Sequence, residues 1–299
     1  MDKYQLGKET PQSVRKNLSV YPELLQDLLY GRGISTEALA EEFLNPDYAK
    51  LHDPFLMKGM DAAVERILRA IKDGEKTVIY SDYDADGIPG AVILHDFFKK
   101  IGYTNFTNYI PHRHHEGFGL HLEAIDTFVA DGAQLLITID CGTADLAEIA
   151  HAKSKGIDVI ITDHHLCGPE ALVADAFLNS KQDGDQYPDK MLCGSGVVFK
   201  LIQALIVRGK EQGIFELKAG QEKWFLDMVG IATLSDMVPL KGENRILAHY
   251  GLKVLRKSPR PGLAKLFSEV SVNQNYLTED DVTFMIAPRL NAASRMAIP

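Results

Sequence analysis

Apolar positions along this chain recur with two periods that take turns. In "DAAVERILRAIKDGEK" (61–76), Val64, Ile67, Leu68 and Ile71 share one helical face, and Gly74 supplies a stop. "TVIYS" (77–81) is then a short continuous apolar run of buried-strand type, and "AVILHDFFKKIG" (91–102) returns to the helical period through Leu94, Phe97, Phe98 and Ile101. The alternation continues with strands at "FTNYI" (106–110), "LLITID" (135–140) and "DVIITD" (158–163). Between them lie helices at "LEAIDTFVADG" (122–132) and "ADLAEIAHAKSKG" (144–156). Strands without inside-outside alternation, separated by amphipathic helices, predict an α/β fold: a mostly parallel sheet with helices on both faces.

Beyond residue 163 the rhythm loosens. A strand is expected at "AFLNS" (176–180), and helices at "SGVVFKLIQALIVRG" (195–209) and "EKWFLDMVGIATLSDM" (222–237). Residues 1–55, with "STEALAEEFLNP" closed by Pro46, read as a helical N-terminal extension, leaving 56–299 as the main domain. The sequence stops at "NAASRMAIP", directly after a dense motif, so a longer protein is expected.

The 299 residues are 45% hydrophobic and 24% charged, the balance of a folded domain with a sizeable core. No apolar run reaches the ~18 residues of a membrane span, and "MDKYQLGKETPQ" lacks a secretory layout, so a cytoplasmic location without membrane partners is expected. Cys141, Cys167 and Cys193 form no C-x-x-C pair and read as small packed residues rather than a zinc site or disulfide framework. The net charge of −9, from 32 Lys+Arg against 41 Asp+Glu, weighs mildly against a nucleic-acid partner. Bound cations would remove that objection.

The candidate chemistry sits at the strand ends. "SDYDADG" puts Asp82, Asp84 and Asp86 after the first strand; Asp140 ends another in "ITIDCGT"; Asp163, His164 and His165 end a third in "IITDHH". In an open α/β sheet the crevice beyond the carboxyl ends of the strands is where ligands collect. Carboxylates crowded there need raised pKa values or a compensating cation. With Asp236 added, two divalent ions would return all but one of the five charges on Asp82, Asp84, Asp86, Asp140 and Asp236. Oxygen-rich ligands with one imidazole favour Mn²⁺ or Mg²⁺, and a pair of such ions about 3.5–4 Å apart implies phosphoester hydrolysis. The D-x-D-x-D run is not an EF-hand loop: Ile93 stands where the bidentate Glu belongs, and a strand precedes it.

"DYDADG", "ITIDCGT" and "ITDHH" together resemble the DHH phosphoesterase family, named for the triplet found here as Asp163, His164 and His165. Further stretches, "FLNPDYAKLHDPFLMKGMDAAVERI", "YIPHRHHEGFGL", "LCGSGVVFKL", "SDMVPLKGENRIL" and "IAPRLNAASRM", are similar to its branch of single-strand-specific 5′-to-3′ DNA exonucleases, which act in repair and recombination. The resemblance implies a two-ion site with Asp82, Asp84, Asp86, Asp140, His164 and Asp236 as metal ligands. It also implies Asp163 orienting an imidazole, His165 facing the scissile phosphate, and Asp82 as a further active-site acid. Pro89, Gly90 and Ser294 depart from the family pattern, which usually has hydroxylic residues at 89 and 90 and Gly at 294.

Single-stranded DNA, the implied substrate, needs cations for its backbone and flat groups for its bases. Arg113, His114, His115, Phe118, Arg289, Asn291 and Arg295 are the expected contacts, and "LRKSPRPG" (255–262) is expected to be an exposed basic turn. A single-strand-binding protein and a helicase are the expected protein partners. The alternatives are a family member acting on nucleotides or oligoribonucleotides, or a non-catalytic scaffold; the intact ligand set argues against the scaffold.

Overall fold

The computed structural model describes residues 9–296; the first residues of the N-terminal extension and the last three of "NAASRMAIP" lie outside the described residues. The chain divides into two compact units, one up to Leu51 and one from His52 on. In the first, α1 (Gln12–Asn17), α2 (Glu23–Gly31) and α3 (Glu37–Leu44) bury Val14, Leu18, Leu29, Ile34 and Ala40. Thr36 caps α3 by accepting from the Leu39 N–H, the task its hydroxyl suits at that position.

The second unit is built on five parallel strands: β1 (Thr77–Ser81), β2 (Phe106–Tyr109), β3 (Leu135–Ile139), β4 (Asp158–Thr162) and β5 (Ala176–Leu178), in the order 2-1-3-4-5. The expected α/β class is what forms, and every pairing is parallel. Val78, Tyr80, Leu136, Val159 and Ile161 face α6 (Leu122–Ala130) and α7 (Leu146–Ser154). The alternate strand residues meet α4 (Met60–Asp73), α5 (Gly87–Lys100) and α8 (Gly194–Glu211) on the opposite face. Both faces are thereby buried over β1, β3 and β4, which is why those strands read as unbroken apolar runs, whereas edge strand β2 leaves Thr107 and Asn108 exposed.

α5 starts at Gly87, earlier than the apolar period marks, with Pro89 in its first turn, where its missing N–H costs nothing. The stretch expected as one helix over 222–237 is a 3₁₀ turn (Gln221–Phe225) followed by α9 (Leu226–Ser235). α10 (Gly242–Leu255) crosses α9 at Gly230 and Gly251; a Cβ at Gly230 would lie 2.7 Å from the Gly251 Cα, so only paired glycines allow that approach. Toward the end of the described residues lie α11 (Pro261–Glu269), a π-helical segment (Asp281–Ile286) and α12 (Ala287–Met296).

Candidate active site

The strand order reverses its winding between β1 and β3, which opens a crevice beyond their carboxyl ends. The register Ser81↔Ile139↔Thr162↔Leu178 is continuous across four strands. Asp82, Asp140, Asp163 and Asn179 are therefore the first residues past the sheet in one row. Each aspartate is fixed by its own backbone: Asp82 N–H donates to Ile139 O (3.1 Å), Asp140 N–H to Thr162 O (2.9 Å) and Asp163 N–H to Leu178 O (3.0 Å).

The loop Asp82–Asp86 is clamped around Ala85, whose N–H donates to Asn291 Oδ1 (2.7 Å) and whose carbonyl accepts from Ser235 Oγ (2.9 Å). Asp84 Oδ1 accepts from the Asp86 and Gly87 N–H groups at 2.7 and 3.1 Å. Asp86, although it precedes α5, caps a different helix: its carboxylate accepts from Gly194 N–H (2.6 Å) and Ser195 N–H (2.8 Å) at the start of α8. Gly194 must be glycine, because a Cβ there would stand 2.7 Å from the Asp140 Cβ. Asp140 itself holds φ at +60°, a left-handed conformation that costs about 1–3 kcal/mol and recurs at functional sites.

Electrostatics follow from this crowding. Burial, reinforced by Asp84, raises the Asp82 carboxyl to about 7. Burial with Asp86 and Asp84 does the same to Asp236, also to about 7. Asp86 and Asp140 are raised by burial as well, Asp140 well above the carboxylate range with Asp86, Asp84, Asp163 and Asp82 around it. Asp163 goes the other way, to about 2, because hydrogen bonds from His165 and Thr143 outweigh its burial. Its Oδ1 accepts from His165 Nδ1 (2.7 Å) and its Oδ2 from the Thr143 N–H (2.9 Å). His165 is raised by that bond, whereas burial lowers His164 toward its neutral form.

Three sets of donor atoms each lie within 4.8 Å of one another: Asp82, Asp84 and Asp140; Asp86, His164 and Asp236; Asp140, His164 and His165. The first two meet where His164 Nε2 stands 3.1 Å from Asp140 Oδ1. That oxygen makes no aligned hydrogen bond and, with Asp82 Oδ1, is a buried polar atom without a partner among the described residues. Neighbouring ligands of an octahedral ion bound at about 2.1 Å stand about 3 Å apart. Raised carboxyls, unpartnered carboxylate oxygens and a neutral imidazole form a donor set that fits hard divalent cations.

The site opens into a cavity of about 250 Å³ lined by Asp82, Tyr83, Asp84, Arg113, Phe118, Asp140, His164, His165, Asp236, Asn291 and Arg295. The Arg113 guanidinium stacks over the Tyr83 ring at 4.4 Å, and Phe118 meets His165 edge-on at 5.6 Å. Three expected strand contacts lie outside this lining. His114 Nε2 lies 3.2 Å from the Arg295 carbonyl, the His115 ring packs on His112 at 4.3 Å, and Arg289 is exposed and donates to Met285 O. Asn291 and Arg295 are four apart on α12 and share a face, while Arg289 is turned away from both by helical geometry. Asn291 accepts from the Ala85 N–H through its Oδ1, which fixes the amide at the cavity wall.

Sequence reasoning missed Tyr83, Thr143, Asn179, Lys181 and the N-terminal amides of α8. Only Asn179 carried a legible signal, its place one residue past an apolar strand. The departure at Gly90 also gains a reason: a Cβ there would fall 2.6 Å from Ile139 Cγ2 and 3.1 Å from Ser195 Oγ.

Comparison with known proteins places this geometry. The single-stranded-DNA-specific exonuclease RecJ of Bacillus subtilis (strain 168) is 41% identical over 285 residues, covering 95% of this chain and 34% of that protein. Its counterpart from Escherichia coli (strain K12) is 35% identical over 244 residues, covering 80% of this chain and 42% of that protein. The chain thus spans about a third to a half of the length of the curated relatives it matches. Among solved structures, RecJ from Thermus thermophilus in complex with Mn²⁺ superposes with a TM-score of 0.75 at 29% identity, over 95% of this chain and 39% of that one. An exonuclease RecJ bound to manganese gives 0.72 at 31% identity, over 84% of this chain and 60% of that one. The model of the DHH family, N-terminal domain, matches residues 76–233, more than half of the sequence and the span that carries β1 to β5 with the aspartate row at their ends; the chain belongs to the DHH family.

Proposed function

We propose that this chain is the catalytic core of a divalent-metal-dependent phosphodiesterase, a RecJ-like exonuclease that degrades single-stranded DNA from 5′ ends in repair and recombination. The observation that carries the reading is the pair of donor sets joined at Asp140 and His164, on a chain similar to RecJ proteins that bind manganese. Asp82, Asp84, Asp86, Asp140, His164 and Asp236 would hold two ions, Mn²⁺ or Mg²⁺. When bound, these supply charge stabilisation at the phosphate and acidify the attacking water.

The remaining work falls to the chain's own residues. Asp163 pins His165 Nδ1 and keeps the imidazole protonated, so Nε2 can give its proton to the 3′ oxygen as the phosphorus–oxygen bond breaks. Arg113 and Arg295 line the cavity as phosphate partners, and Phe118 offers a ring beside the reacting centre. The cavity of about 250 Å³ sets these groups around the place where a strand end would meet the donor sets. We assign 56–299 as the catalytic domain and 1–55 as an extension to it, and expect a helicase and a single-strand-binding protein to present the strand.

The test follows release from 5′-labelled single-stranded and duplex oligonucleotides with Mn²⁺, Mg²⁺ or chelator. Single-strand-selective, metal-dependent mononucleotide release supports the reading. Equal digestion of both forms, or turnover of short nucleotides alone, refutes it.

A further inference from the structure

The row of residues just past the sheet ends in a neutral amide, to which the chemistry above assigns no part. Asn179 follows β5 in the register that gives β1, β3 and β4 their aspartates. It is fully buried. Its Nδ2 donates to the His165 carbonyl (2.9 Å) and to Thr143 Oγ1 (3.3 Å), while its Oδ1 accepts from the Lys181 N–H (2.9 Å). That last bond turns the chain so that Lys181 Nζ reaches the His164 carbonyl. Consecutive histidine carbonyls are therefore each held by a donor from the same three-residue segment. Their N–H groups are held from the other side, both by Asp163 Oδ1 at 2.7 and 3.2 Å.

We propose that Asn179 and Lys181 are positioning residues that lock the peptide of His164 and His165, and so set the direction in which both imidazoles point. The proposal rests on the two-ion reading for its consequence, not for its geometry. An amide suits position 179, since it donates to one carbonyl while accepting from one backbone N–H. A carboxylate there would set an acceptor against the His165 carbonyl. Lys181 makes no ion pair among the described residues, although four carboxylates line the cavity, so its ammonium serves a backbone oxygen. Partners that orient metal-binding side chains cost about 10–100-fold in metal affinity when removed.

The experiment uses Asn179→Asp, Lys181→Met and Lys181→Arg in this chain. Ring ¹H–¹⁵N spectra of the metal-free proteins report on the imidazoles directly, and calorimetric titration with Mn²⁺ reports affinity. Asn179→Asp and Lys181→Met should each shift the His164 and His165 ring resonances, and Mn²⁺ affinity should fall about 10–100-fold. Lys181→Arg, which keeps a donor, should recover most of both. Ring resonances that match the parent in Asn179→Asp and Lys181→Met overturn the proposal, as does a Lys181→Arg protein no better than Lys181→Met. A parent chain that binds no Mn²⁺ would sink the two-ion reading instead, leaving the metal-free spectra to judge the positioning role.

Discussion

Asp140→Asn should make the metal-free protein more stable while destroying its affinity for metal. Asp140 is 3% exposed, has one oxygen without a hydrogen-bond partner, and faces Asp82, Asp84, Asp86 and Asp163. Its φ of +60° is tolerated by Asn as well as by Asp, so the exchange adds no backbone strain. Because its folded pKa is raised, the unfolded chain releases this proton first as pH climbs. Stability is thus lost with rising pH, beginning near the ordinary 3.8. Asn never ionises and escapes that loss. Relief of one poorly satisfied buried charge is worth about 1–3 kcal/mol, or about 2–4 °C in Tm per kcal/mol for a unit of this size. Melts of chelator-treated parent and variant should coincide near pH 4 and separate by several degrees at pH 8, with the variant higher. Added Mn²⁺ at a hundred times its Kd should close or reverse the gap, raising the parent by about 2.7 kcal/mol and the variant by little. A variant that melts below the parent at pH 8 without metal would refute the electrostatic reasoning.

Other expectations follow from the same geometry. Chelated protein should lose stability as pH rises from about 4 to about 7, because Asp82 and Asp236 are raised to about 7, and saturating Mn²⁺ should flatten that curve in thermal melts. Asp163 contributes with the opposite sign. Its depression from 3.8 to about 2 is worth about 2 kcal/mol, present above pH 4 and lost as pH falls toward 2, and Asp163→Asn should lose that acid-sensitive step. Gly194→Ala, forced against Asp140 at 2.7 Å, should cost about 1–3 kcal/mol and weaken Mn²⁺ binding in calorimetry. Arg295→Ala should raise KM for single-stranded DNA about tenfold in cleavage assays, while Arg289→Ala should leave it within about twofold, since of these two only Arg295 lines the cavity.

What could be read without coordinates was local. Unbroken apolar runs fixed β1, β3 and β4, and Gly74 marked the end of α4, where it sits at φ +67°. The acidic residues one step past each strand followed from the chain itself, because strand period and the crevice rule require only neighbours in sequence. Tertiary structure alone decided what surrounds them. Asp86 finds its partners at Gly194 and Ser195, and Ala85 is clamped by Ser235 and Asn291, residues far along the chain with no periodic signal to announce them. Three cationic or imidazole side chains in promising motifs turned out to lie off the cavity, because the phase of α12 and the packing of a turn set where they stand. Hydrophobic pattern determines which segments are buried, but a charge's pKa and a ligand's aim depend on atoms brought near by the fold.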